Sequence, residues 1–86
     1  MKIYKYALDV TDRQDVLMPD GEILCVQMQY GQPMLWVLVD PDAPIVKRVI
    51  STYGTGNLIP EGKRQYIGTY QMSAGTLVWH VFEERA

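Results

Sequence analysis

The chain has 86 residues, 48% of them hydrophobic, and its ten acidic and eight basic side chains give a net charge of −2 at pH 7. This composition is typical of a globular protein, and so weak a charge argues against a nucleic-acid partner. No apolar run reaches the about 18 residues that a membrane span needs, and the N-terminus lacks the apolar segment of a signal peptide. We expect one domain over residues 1–86. Cys25 is the only cysteine, which favours a reducing compartment.

Alternating apolar and polar residues predict strands along the first half of the chain. Residues 2–10 predict an edge strand, and residues 15–18 predict a short strand that ends at the turn-forming residues 19–21. Residues 22–30 alternate again. The side chains predicted to point inward from the two alternating strands are Tyr4, Tyr6, Leu8, Val10, Leu24, Val26, Met28 and Tyr30.

The second half contains two segments that are apolar on both faces, residues 34–39 and 76–83, and we predict that they are central, adjacent strands. Residues 45–53 predict a strand with one wet face. Residues 66–72 and 76–83 predict a hairpin through a bulged loop at 73–75. Turns about every ten residues predict an all-β fold, a small antiparallel sandwich or partly open barrel of six to seven strands. The predicted core includes Trp36, Val37, Leu77, Trp79 and Val81.

The longest irregular stretch lies between the fifth strand and the hairpin, at residues 54–64. Its Leu58 and Ile59 either pack it onto the domain or leave it available for binding. Gly54-x-Gly56 lacks the further glycine or lysine of a phosphate-binding motif. A small phosphate-bearing ligand remains an alternative if two basic pairs meet in space, Lys47–Arg48 and Lys63–Arg64.

Few residues offer catalytic or metal-binding chemistry. His80 is the only histidine, and its apolar neighbours favour a side chain packed in or beside the core with one satisfied nitrogen. Cys25 has no local feature of a nucleophile. Asp40 and Asp42 lack the ligand spacing of a calcium loop and are expected to bond turn backbone. We therefore expect no enzyme activity, no metal and no cofactor.

Aromatic residues with a polar tip are in excess, with six tyrosines and two tryptophans against one phenylalanine. Such residues anchor protein interfaces, and they also fill small cores with their polar atoms at the rim. The sequence supports both interpretations. The candidate interaction surface comprises Tyr53, Tyr70, Lys47, Arg48, Lys63 and Arg64. A two-fold homodimer is also expected, because small domains often gain stability by association.

Five segments together resemble a family of small uncharacterised proteins from tailed phages and prophages. They are MKIYKY at residues 1–6, GQPMLWVLVDP at 31–41, NLIP at 57–60, YIGTYQ at 66–71 and GTLVWHVFE at 75–83. The resemblance implies a phage or prophage origin and action in the bacterial host cytoplasm, and it carries no known catalytic residue. We therefore expect a non-enzymatic accessory protein that binds a bacterial host protein and can thereby inhibit a host or defence protein. The alternatives are the phosphate-bearing ligand and a minor structural role in the virion.

Overall fold

The computed structural model describes residues 1–85, and within that range it contains seven strands and no α-helix. The strands are β1 (Lys2–Ala7), β2 (Arg13–Pro19), β3 (Gly21–Gln29), β4 (Gln32–Val39), β5 (Ile45–Gly54), β6 (Arg64–Met72) and β7 (Leu77–Glu84). A single 3-10 turn at Ser73–Gly75 joins β6 to β7, and its residues have positive φ angles. The predicted all-β class and the hairpin at the C-terminal end of the chain are confirmed.

The strands form two antiparallel sheets, one in the order β1-β4-β3 and the other in the order β2-β5-β7-β6. Their apolar faces pack against each other, so the fold is a sandwich that does not close into a barrel. β1 is an edge strand and β7 is central, as predicted. β4 is also central, but it lies between β1 and β3, so the prediction that it neighbours β7 is wrong.

The core lies between the two sheets and is almost entirely apolar. Its buried residues are Leu8, Val16, Met18, Val26, Leu35, Val37, Val39, Ile50, Tyr70 and Val81. Val37 and Val81 are therefore confirmed, and Trp79 packs against the cluster as a partly buried residue. Trp36 is on the outer face of its sheet, because its neighbours in β4 take the inner face. Leu77 is 45% exposed at the start of β7. The assignments of Trp36 and Leu77 to the core are therefore wrong.

Three residues predicted to point inward are exposed instead. Val10 is 50% exposed because β1 ends at Ala7, and Tyr30 is 99% exposed at the β3–β4 turn, where its φ angle is 52°. Leu24 is 43% exposed because the register of β3 shifts between Ile23 and Cys25. A bulge of this kind adds one residue to the strand and interrupts the alternation of faces on which the prediction rested.

The connection between β5 and β6 determines what covers the outer face of the larger sheet. Both strands pair antiparallel with β7, on opposite sides of it. Residues 55–63 must therefore run the length of β7, from the level of Trp79 to that of Glu84. The core fills the inner face, so this segment, here named the crossover loop, passes over the outer face. Ser51 is on this outer face, where its hydroxyl bonds to Glu84. Its exposure is only 2%, which is expected if the crossover loop covers the face.

Candidate binding site

A row of three aromatic rings crosses the outer face of the larger sheet, with one ring from each of β5, β7 and β6. Phe82 is in the middle, with ring centroids 5.9 Å from Tyr53 and 5.5 Å from Tyr66, and both contacts are edge-to-face. The register causes this arrangement, because Phe82 pairs with Tyr66 and Tyr53 pairs with the adjacent His80. Tyr66 is 55% exposed, so the row presents one aromatic side chain to solvent.

The carboxylate of Glu84 in β7 connects the neighbouring strands β5 and β6 at one end of this face. One of its oxygens accepts hydrogen bonds from Ser51 Oγ at 2.8 Å, Tyr53 Oη at 3.1 Å and Arg64 Nε at 3.4 Å. Burial by itself would raise the pKa of Glu84, but these hydrogen bonds and the charge of Arg64 outweigh it and lower the pKa below the ordinary value of 4.5. The guanidinium of Arg64 also lies 5.8 Å from the ring centroid of Tyr53.

His80 belongs to a chain of hydroxyl groups on the same face. Its Nε2 lies 2.7 Å from Thr55 Oγ1 and its Nδ1 lies 3.0 Å from Thr69 Oγ1, which in turn lies 2.5 Å from Tyr66 Oη. The ring is partly buried on the outer face, on the side of the sheet away from the core, and both of its nitrogens have partners. The prediction of a side chain packed in or beside the core with one satisfied nitrogen is therefore wrong. Cys25 is on the outer face of the other sheet, so the two side chains cannot act together.

The crossover loop presents apolar side chains to solvent. Leu58 is 95% exposed and Ile59 is 44% exposed. The loop is anchored at both ends, since Asn57 N donates to Gly54 O at 3.1 Å and Arg85 N donates to Lys63 O at 2.8 Å. Of the two interpretations that the sequence left for this stretch, packing by Leu58 and Ile59 is wrong. Its apolar tip is available for contact.

The six residues of the predicted interaction surface do not lie together. Lys63 is the last residue of the crossover loop, and Tyr53 and Arg64 lie near its two ends. Tyr70 is 4% exposed in the core, because it pairs with Trp79 on the inner face, so its assignment to a surface is wrong.

The four basic residues do not converge either. Lys47 Nζ lies 4.0 Å from Asp15 Oδ2 on the adjacent strand. Arg48 points to the inner side of the larger sheet, whereas Arg64 points to its outer side. The clustering that would have favoured a site for a phosphate-bearing ligand is absent from residues 1–85.

A groove of about 670 Å³ lies between β3 and β6, one edge strand from each sheet, and the sequence did not predict it. Each strand carries a bulge there, since the register of β3 shifts between Ile23 and Cys25 and that of β6 between Tyr66 and Gly68. Beyond the bulges the strands meet, and a Cβ at Gly68 would lie only 2.8 Å from Val26 Cγ1. The side chains that line the groove include Ile23, Leu24, Tyr66, Ile67, Arg48 and Glu83.

A buried ion pair forms the floor of the groove. Arg48 donates from Nε and Nη2 to the two carboxylate oxygens of Glu83, the second over 2.9 Å, and from Nη1 to Gly21 O over 2.9 Å. The hydrogen bond to Glu83 raises the pKa of Arg48 against the effect of burial, and the charges of Glu83 and Asp20 add to the rise. Arg85 Nη2 also lies 3.5 Å from Glu83 Oε1. This pair links β5 and β7 of one sheet to β3 of the other.

The described residues were also compared with the requirements of a metal site and of a membrane-spanning helix. Within residues 1–85, no three His, Cys, Asp or Glu side chains are grouped so that they could hold a metal ion. No helix in the described part of the chain is both long and apolar enough to cross a membrane.

Comparison with known proteins identifies one family. No curated protein and no solved structure matches the chain significantly. A family model described as "Domain of unknown function (DUF7352)" matches residues 1–86. The match covers the whole chain, and the expected membership in an uncharacterised family is confirmed, whereas the phage or prophage origin stays a prediction. The chain therefore belongs to the DUF7352 family, a domain of unknown function.

Proposed function

We propose that this chain is a non-enzymatic protein-binding domain whose contact surface is the crossover loop with the adjoining Tyr66. The observation that carries the proposal is the exposure of Leu58, 95%, beside that of Ile59, 44%. The path of the crossover loop from β5 to β6 carries both over the face that presents Tyr66. A leucine buried from full exposure contributes about 1.5–3 kcal/mol, and tyrosine is enriched among the residues that dominate binding energy.

The loop and the surface beneath it are positioned before a partner arrives. Gly56 has a φ angle of 86° and lies within the turn that Asn57 closes, while Pro60 restricts the second half of the loop. The aromatic row and the Glu84 hydrogen bonds support the surface beneath the loop. A surface that is already ordered loses less conformational entropy on binding.

The partner that we propose is a bacterial host protein, and the setting is the host cytoplasm. The resemblance to tailed-phage and prophage proteins supports this assignment, together with the near-neutral charge of −2, which suits a protein surface better than a nucleic acid. Inhibition of a host or defence protein would follow from occupation of that partner's own binding surface. A homodimer stays a separate prediction, which light scattering contradicts if it reports only a 9.9 kDa species.

The test uses two leucine variants that differ in place but not in chemistry. Leu58→Ser removes the loop anchor, and Leu17→Ser removes a leucine that is 65% exposed on β2. The tagged wild-type protein is used to isolate a partner from a bacterial lysate, and affinities of the purified pair are then measured by calorimetry. We expect Leu58→Ser to weaken binding at least about tenfold and Leu17→Ser to leave it unchanged. Equal effects of the two variants, or no specific partner, would contradict the proposal.

A further inference from the structure

We propose that the groove between β3 and β6 binds an extended, basic segment of a partner protein, which pairs through its backbone with the free edge of β6. This surface is separate from Leu58 and Ile59, so it goes beyond the function proposed for the crossover loop. Three features of the groove support the proposal: its shape, the unpaired backbone of its edge and the charge of its rim.

The shape follows from how the two edge strands diverge. Gly68 lies against Val26, and the missing Cβ lets the strands approach there. Toward the N-terminal ends of both strands, the bulges at Leu24 and Ile67 separate them and leave the space of about 670 Å³. Bulges bend a strand and interrupt its ladder, and they are frequent beside functional sites. An extended segment placed in this gap would lie beside both sheets.

The edge of β6 offers backbone groups for pairing. Arg85 N donates to Lys63 O, so this pair is a hydrogen-bonded one, and in an antiparallel ladder such pairs recur at every second residue. Gln65 is therefore the next residue bonded to β7, and the backbone N–H and C=O groups of Arg64 and Tyr66 face the free edge. No loop in residues 1–85 hydrogen-bonds to these groups. A free edge of this kind can accept an additional strand.

The rim of the groove determines the charge of the segment that fits. On the floor, Glu83 contacts both Arg48 and Arg85, so its charge is compensated. Asp20 and Glu22 on the β3 side are exposed, and neither forms an ion pair within the described residues. Three acidic residues line the groove, Asp20, Glu22 and Glu83, against two basic ones, Arg48 and Arg85. Lysine or arginine side chains of a bound segment would balance this excess, whereas an acidic segment would be repelled.

The test begins with a displayed library of short random peptides selected on the full-length protein. We expect the enriched peptides to carry lysine or arginine at alternate positions. The best of them is labelled, and its affinity is measured by fluorescence anisotropy against the wild type and the double variant Asp20→Lys/Glu22→Lys. Both residues are exposed, so circular dichroism should show an unchanged fold. The double variant should bind at least about tenfold more weakly, and proline at the central position of the peptide should abolish binding.

Two further measurements separate this proposal from the crossover-loop surface. Leu58→Ser should bind the peptide as the wild type does. In amide chemical-shift mapping, the largest changes should fall at residues 21–24 and 64–67. The proposal is overturned if no peptide is enriched, if the enriched peptides lack basic residues, if charge reversal leaves affinity unchanged, or if the shifts lie elsewhere. Failure to find a lysate partner for the loop would leave these outcomes unaffected.

Discussion

Replacement of Arg48 by alanine tests whether the buried ion pair holds the two sheets together. The substitution removes two hydrogen bonds to Glu83 and one to the backbone of Gly21, and therefore a direct link between the sheets. The side chain of Glu83 is only 9% exposed. Without Arg48 it would keep a single basic neighbour, Arg85, whose own side chain is 49% exposed.

The expected loss is large for a domain of this size. Removing one partner from a buried ion pair costs about 3–5 kcal/mol, and the remaining contact with Arg85 places Arg48→Ala near the lower value, about 3 kcal/mol. Since proteins have a stability of about 0.05–0.15 kcal/mol per residue, the chain has about 4–13 kcal/mol in total. A loss of 3 kcal/mol should lower the melting temperature by about 12–24 °C.

The measurement is urea unfolding followed by circular dichroism, with the double variant Arg48→Met/Glu83→Leu as the comparison. Replacing both members of a buried pair by apolar residues is often neutral or stabilising, so the double variant should be more stable than Arg48→Ala. The ion pair does not stabilise the contact between the sheets if Arg48→Ala lowers the free energy of unfolding by less than about 1 kcal/mol. The same conclusion follows if the double variant is less stable than Arg48→Ala.

Two other substitutions test the groups around the outer face and the core. Because the folded state lowers the pKa of Glu84 below 4.5, its ionised form stabilises the protein above that pH, and the contribution is lost as the pH falls through the folded pKa. Glu84→Gln should therefore make stability less dependent on pH below 4.5 in acid titrations of the melting temperature, and an unchanged slope would contradict this. The buried hydroxyl of Tyr70 has no hydrogen-bond partner among the described residues, so Tyr70→Phe should stabilise the fold by up to about 1 kcal/mol in urea unfolding, whereas Tyr70→Ala should destabilise it by about 3–5 kcal/mol.

The fold class was predictable because it depends on local patterns. Turn-forming residues such as Pro19 and Gly31 recur at short intervals, and each strand carries a recognisable alternation or apolar run. Strand order was less predictable. β4 and β7 are both apolar and central, but the sequence does not indicate that the central strands belong to different sheets.

The groove was missed because bulges have no simple pattern in a single sequence. The extra residues Leu24 and Ile67 look like ordinary strand residues, and only the register reveals them. The direction of Arg48 was missed for a related reason. In sequence it resembles one half of a solvated basic pair, but strand alternation turns it inward, where Glu83 of a distant strand compensates its charge.

The two proposed surfaces meet at one strand. The ring of Tyr66 belongs to the aromatic row under the crossover loop, while its backbone lies on the edge of the groove. A segment paired with β6 would therefore fix the backbone that carries this ring. A partner that uses both surfaces must contact the β6 edge, because the crossover loop and the groove meet at Tyr66. The charge-reversed double variant at Asp20 and Glu22 and the Leu58→Ser variant then divide such a partner's affinity into a charge-dependent part and an apolar part.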